Sequence, residues 1–187
     1  MRYKYIAMGL LLCFILSGCA FGTRHPLLKY SLGTQQRPAN NIEIYVDKFV
    51  DDRLDREAIG HVRNGYGMKT AKVITTTNIS DWVTEAMKAE LRNSGYAVTD
   101  NSSADNKVKG EVIKVYCDSF MTYDGEVGIE VALERKGEKI FSQKYLGKDE
   151  SINMACRAKS YGITLERGLQ KALVDAVHDI DRELQRQ

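Results

Sequence analysis

Val127-Gly128-Ile129-Glu130-Val131-Ala132-Leu133-Glu134 alternates large apolar residues with small or acidic ones. A period of two places every large apolar side chain on one side of an extended chain. The stretch therefore reads as an antiparallel strand with one face in a core and one in solvent. Arg135-Lys136-Gly137-Glu138 follows as a tight turn, and Ile140–Leu146 returns with Phe141 and Tyr145 pointing inward. Before it, Val108–Cys117 is a longer strand. Its apolar phase shifts at Val112-Ile113, which predicts a bulge or burial on both faces.

A meander of this kind cannot cover its own apolar face, so the flanking segments must supply helices. Asn78 is placed to cap a helix that begins at Ile79, with Asp81 in its first turn. Ile79, Trp82, Val83, Ala86, Met87 and Leu91 form its stripe, and Gly95 ends it as a C′ glycine. Glu85, Lys88 and Arg92 take the other side. A longer helix over Ala158–Leu184 carries Tyr161, Leu165, Leu169, Ala172, Leu173, Ala176, Val177 and Ile180 at helical spacing. Upstream, Ile42–Val50 and Lys72–Thr77 read as strands, Ile59–Met68 as a segment with strong turn chemistry, and Tyr96–Thr99 as a short strand. The expectation is an α+β fold: a two-layer domain with a mostly antiparallel four- to five-stranded sheet and two helices packed on one face.

The first residues are of a different kind. Met1-Arg2-Tyr3-Lys4-Tyr5 is a short basic region, and Ile6–Leu16 is apolar. This is the layout of an export signal. Eleven residues of helix reach about 16 Å, half of a ~30 Å hydrocarbon core, so a permanent span is not expected. The segment closes on Leu16-Ser17-Gly18-Cys19, which resembles the lipobox of bacterial lipoproteins. That resemblance implies acylation of Cys19, with palmitate among the chains, after removal of residues 1–18. Ala20, in place of Asp, favours sorting to the outer membrane with the domain facing the periplasm. Residues 19–41 then form the lipidated N-terminus and tether, and 42–187 a single domain. Both prolines, Pro26 and Pro38, fall in that tether. An extended tether holds a domain off the bilayer; docking on the domain through Leu27, Leu28 and Leu32 is the other reading.

The whole chain has 187 residues and a formal net charge of +2. Arg2 and Lys4 in the leader account for that excess, so the remainder is neutral. A neutral domain with interspersed charges lacks the basic patch expected of a nucleic-acid binder.

No catalytic set emerges. Asp51, Asp52, Asp55, Glu57 and His61 are close in sequence, but general acid–base chemistry needs groups that converge on one atom. The histidines and cysteines lack zinc spacing, and Asn64-Gly65-Tyr66-Gly67 lacks the Lys-Ser/Thr of a phosphate loop. The expectations are no catalytic residue, no metal and no cofactor. Cys117 and Cys156 form a possible disulfide, since the envelope is oxidising. A closed loop of roughly 40 residues is worth about 4 kcal/mol in the chain-entropy model. The alternative is two free thiols. Tyr116, Phe120 and Tyr123, with Met121, read as core or strand-end packing, with the rim of an apolar groove as a second reading.

Several short motifs occur in a telling order. Asp51-Asp52-Arg53, Gly60-His61-Val62-Arg63-Asn64-Gly65-Tyr66-Gly67, the Trp82 helix and Leu91-Arg92-Asn93-Ser94-Gly95-Tyr96 together resemble the YajG-type envelope lipoproteins. The likeness runs more loosely through Gly110, Asp124–Leu133 and the last helix, over most of residues 42–183. It implies an α+β envelope domain without known catalysis, and it transfers no catalytic residue. The resulting expectation is a non-catalytic accessory or partner-docking lipoprotein. The membrane is one partner, through Cys19; an envelope protein or a second copy is the other. Asp52, Arg53, Arg63, Asn64, Tyr66 and Lys69 are the candidate contact residues, because Tyr and Arg are enriched where proteins dock. The alternative function is a periplasmic module that binds a lipid or glycan.

Overall fold

The computed structural model describes residues 22–33, 37–152 and 157–186. Cys19 and Cys156 lie outside them. In chain order the elements are β1 (Glu43–Val46), β2 (Val50–Asp51), β3 (Gly60–Arg63), β4 (Lys69–Val73), α1 (Ile79–Asn93), β5 (Ala97–Thr99), β6 (Asn106–Ser119), β7 (Thr122–Arg135), β8 (Glu138–Ile152) and α2 (Ala158–Gln185).

Strand β6 organises the sheet. Along one side it pairs antiparallel with β7 over its whole length, and β7 pairs in the same way with β8. Along its other side three short strands follow one another, all parallel to it. Val46 lies opposite Val108, Val50 opposite Glu111, and Gly60 opposite Cys117. Strands β1, β2 and β3 thus act as one interrupted row. The outermost row is also shared: β5 pairs parallel with β1, and β4 pairs antiparallel with β3. The result is a mixed eight-stranded sheet, five rows wide.

This corrects the expected four- to five-stranded, mostly antiparallel sheet. Parallel neighbours need a long crossover. Here the stretch from β4 through α1 to β5 supplies one between β1 and β5. The strand expected over Ile42–Val50 is broken because Phe49 turns into the core. Its N–H donates to Thr84 Oγ1 at 2.9 Å. Gly110 leaves room for the ring, since a Cβ there would sit 2.2 Å from Phe49 Cε1.

Other expectations match in detail. Strand β7 buries Val127, Ile129, Val131 and Leu133 and turns Glu130 and Glu134 outward. The β6 phase shift is a bulge: Val112 faces Ile129 and Lys114 faces Gly128, leaving Ile113 as the extra residue. Asn78 caps α1 by accepting from the Asp81 N–H at 3.0 Å. Gly95 adopts φ +93°, and a Cβ there would meet the Pro38 carbonyl oxygen at 2.2 Å.

Both helices lie on one face of the sheet and touch each other, α1 over β1, β2, β5 and β6 and α2 over β6, β7 and β8. Helix α2 sits unusually close. A Cβ on Gly147 of β8 would be 1.8 Å from the Gly168 carbonyl oxygen, and one on Gly125 of β7 would be 2.7 Å from Thr164 Cγ2. Only glycine permits that approach.

Residues 22–33 and 37–41 are strapped over the helical layer, as in the reading that docks them on the domain: Leu28 is buried in the core, while Leu27 and Leu32 stay exposed. Arg24 flanks β4, with Arg24 N–H to Lys72 O at 3.2 Å and Ile74 N–H to Arg24 O at 2.9 Å. Thr75 Oγ1 donates to Pro26 O at 2.8 Å, and Trp82 Nε1 donates to Lys29 O at 2.9 Å. The Tyr30 hydroxyl donates to Glu90, and Gln170 Nε2 donates to Ser31 O at 2.6 Å. Arg37 then reaches Asn93 O through its N–H and Asp181 through its guanidinium. The route passes between α1 and α2. Backbone polar groups, the buried Leu28 and the Tyr30 and Arg37 side chains hold it, a mixture that leaves no apolar period.

Candidate interaction surface

The residues expected to contact a partner fall into two places. Asp52 and Arg53 follow β2, whose Asp51 lies opposite Val112. Arg63, Asn64, Tyr66 and Lys69 lie at the β3–β4 turn, beyond the level of Ser119. Seven residues of strand separate the two levels, roughly 20 Å. They do not form one surface.

Arg53 is an internal fastener. It is buried and grips the Asp51 carboxylate with two bonds of 2.8 Å, Nε to Oδ1 and Nη2 to Oδ2. That contact holds the Asp51 carboxyl below its ordinary range. Asp52 is exposed, with Arg56 Nη2 at 3.7 Å.

The β3–β4 turn is built by Arg63 and Asn64. Arg63 Nε donates to Asp118 Oδ2 at 2.7 Å, and its Nη1 donates to Gly67 O at 2.7 Å. Asn64 Oδ1 accepts from the N–H groups of Tyr66 and Met68 at 3.0 and 3.1 Å. Gly67 takes φ +79°, which suits glycine. With the loop held this way, Tyr66 and Met68 are pushed into solvent. Lys69 Nζ sits 5.9 Å from the Tyr116 ring centroid.

The same end of the sheet collects other exposed apolar side chains. The β6–β7 turn carries Phe120 and Met121, and Ile152 pairs with Thr122 beside it. Exposure reaches 90% at Tyr66, 58% at Met68, 75% at Met121 and 78% at Ile152. The cluster Tyr116, Phe120, Tyr123 is therefore split by strand alternation. Tyr123 is core, edge-on to Tyr161 at 4.9 Å, while Tyr116 lies on the open face near His61. Sequence reading missed Met68 and Ile152 as members of this end, because only the pairing of β8 with β7 brings Ile152 there.

The acidic candidates do not converge. Asp51 holds Arg53, Asp55 accepts from the N–H groups of Glu57 and Ala58, and Glu57 pairs with Lys72 at 2.8 Å. His61 Nδ1 lies 3.3 Å from the Tyr116 hydroxyl. Burial, and then Lys69, push its pKa down, so the imidazole is neutral at pH 7. Among the described residues no group of three or more His, Cys, Asp and Glu is placed to hold a metal. Cys117 is a buried free thiol. Burial pushes its pKa up, with the charges of Asp124, Asp118 and Asp149 adding, so it is an inert group. Its possible partner Cys156 lies outside the described residues.

The concavities are open surface grooves of about 270 to 490 Å³. One of about 480 Å³ lies beside the strap between the helices, lined by Arg37, Glu90, Asn93 and His178.

No family model matches the chain, and no curated protein matches its sequence. The YajG-type likeness thus stands on motif order alone. Solved structures do match its fold. A protein from Xanthomonas campestris in the family DUF330 superposes with a TM-score of 0.57 at 14% identity, covering 88% of this chain and 99% of that one. A second, uncharacterised protein gives 0.51 at 12% identity, covering 85% and 99%. A protein from Caulobacter crescentus described as a lipoprotein gives 0.47 at 11% identity, covering 58% and 84%. At 14% and 12% identity, the first two likenesses establish a shared fold and nothing more.

Proposed function

We propose that this chain is a lipid-anchored protein of the bacterial envelope, held at Cys19 in the outer membrane with its domain in the periplasm. Its domain works by docking and performs no catalysis. The observation that carries this reading is the route of the chain. A basic, apolar leader ends at Cys19, and by Arg24 the polypeptide is already bonded to β4. The carboxylates and His61 are each engaged separately and present no reacting constellation. The YajG-type resemblance agrees with this role.

The docking element is the outer edge of β8. Among the described residues this 15-residue strand pairs only with β7, leaving main-chain groups along its other side. Such an edge accepts an added strand from a partner or from a second copy.

Two measurements test the reading. Radiolabelled palmitate should enter the wild-type protein and not a Cys19→Ala variant; equal labelling would remove the anchor. A photocrosslinking residue at Gln143, exposed on β8, should give one discrete protein adduct in the native envelope. Its absence would remove the β8 edge from the reading.

A further inference from the structure

The β3–β4 and β6–β7 turns lie at one end of the sheet, and the anchor selects that end. Arg24 pairs parallel to β4 beside Val73. Strand β4 begins at Lys69, at the turn, and runs up to Val73. Residues 22 and 23, before Arg24, therefore lie on the side of the turn. Five steps separate Cys19 from Arg24, at most about 17 Å. Val73 faces Gly60, and Gly60 faces Cys117, two residues from the lower end of β6. The upper end, at Asn106, is eleven residues away, about 36 Å. Cys19 cannot reach it.

The chemistry of the lower end fits what Cys19 brings. Tyr66, Met68, Met121 and Ile152 project from three separate segments, with Phe120 beside them. These residues extend beyond the last paired positions of β6 and β3 and contribute nothing to the core. Lys69 Nζ lies 5.9 Å from the Tyr116 ring centroid, and the Arg157 N–H donates to the Tyr123 hydroxyl at 2.6 Å, so both residues belong to this end. Helix α2 starts here with no acidic residue in its first turn, so its positive end carries no compensating carboxylate of its own. Asp118 is matched by Arg63, and Asp124 accepts from Thr122. An apolar tip with Lys69 and Arg157 beside it suits the boundary between acyl chains and phosphate headgroups, while the carboxylates Asp124 and Glu150, opposite each other on β7 and β8, lie two residues further in.

We infer that the end formed by Tyr66, Met68, Phe120, Met121 and Ile152 is a membrane-contact surface that dips into the phospholipid leaflet anchoring Cys19. The inference rests on the anchor proposed above. It fixes the pose: β6–β8 stand up from the bilayer, and the β7–β8 turn at Lys136-Gly137 points away from it. The β8 edge is thereby left free for a protein.

The test uses the full-length protein in its own envelope, with p-benzoylphenylalanine at Tyr66, at Met121 or, at the far end, at Glu138. All three side chains are exposed, so the replacements leave the core intact. Palmitate labelling is scored on each sample. The expected result is phospholipid adducts from positions 66 and 121 and none from 138. Discrete protein adducts at 66 and 121 would overturn the inference in favour of a protein partner. Palmitate-labelled protein without lipid adducts at those positions, or with equal adducts at 138, would overturn the pose while leaving the anchor standing. Protein without palmitate would remove the anchor and the inference with it.

Discussion

The β6–β7–β8 meander presents two surfaces made from alternate residues of one backbone. On the inner one, Val108, Val112, Val115, Val127, Ile129, Val131, Leu133 and Tyr145 are buried in the core between the sheet and the helices. On the outer one, cross-strand ion pairs run from row to row. Lys109 pairs with Glu134 at 2.8 Å, Lys148 with Glu126 at 2.6 Å and Lys144 with Glu130 at 3.6 Å, and Lys114 also meets Glu126. The inner face is shaped by close contact and tolerates no added atom at its glycines. The outer face is held by screened charges and adapts. The same strands thus place stability on one side and solubility on the other.

The largest expected effect comes from spoiling the contact of β8 with α2. Gly147→Val puts a branched side chain where a single Cβ already lies 1.8 Å from the Gly168 carbonyl oxygen. The backbone must separate, and overpacking of this kind costs about 3 kcal/mol or more. Urea unfolding should show that loss. Ala132→Val, on the outer face of β7, should stay near wild type. Equal losses at both sites would erase the distinction between the faces.

How much of this was legible follows from which forces are local. Strand β7 was readable because its period of two is local and unbroken. Helix α1 was readable because Asn78 and Gly95 mark its ends. The β6 bulge was readable because an apolar phase shift leaves one residue over. The row of β1, β2 and β3 was not, since four-, two- and four-residue strands say nothing of direction. Parallel pairing to β6 is decided more than fifty residues away. Gly147 was not legible, because the strand was read as ending at Leu146, whereas β8 runs on to Ile152 and makes Gly147 an interior strand glycine in close approach to Gly168. Arg53 was read as a contact residue because Arg is enriched where proteins dock, but it is buried, and Asp51 beside it makes that burial tolerable. At the lower end, Tyr66 was legible as an exposed turn residue, whereas Phe120 and Met121 were read as core or strand-end packing and instead stand exposed. Their shared location was not legible, because β3 reaches the end of β6 only through that non-local parallel pairing.

A smaller effect is expected where the inner face meets its polar rim. Tyr145 points inward from β8, and its hydroxyl donates to Asp179 Oδ2 of α2 at 2.9 Å. Tyr145→Phe keeps the ring and removes that bond. Because Asp179 retains Arg182 at 2.9 Å, the loss should be about 1 kcal/mol. Denaturant midpoints would reveal it. A loss as large as that of Gly147→Val would show that the rim, and not the close backbone contact, seats α2.

The smallest effect belongs to the outer face. Glu126 sits between Lys114 and Lys148, and the bonds to Lys114 and then Lys148 hold its carboxyl below the ordinary 4.5. Both lysines are well exposed, so the pairs contribute no more than about 1 kcal/mol. Glu126→Gln should therefore cost under about 1 kcal/mol at pH 7 and low salt, and less at 1 M salt, where the Debye length falls to about 3 Å. The pH dependence has a definite sign. A carboxyl with a depressed pKa in the folded state favours folding above its unfolded value. That contribution disappears as pH falls through the folded value. The gap between wild type and Glu126→Gln should thus be complete near neutrality and close below pH 4.5. A gap that persists in acid would mean that Glu126 acts through packing, and the outer face would then resemble the inner one.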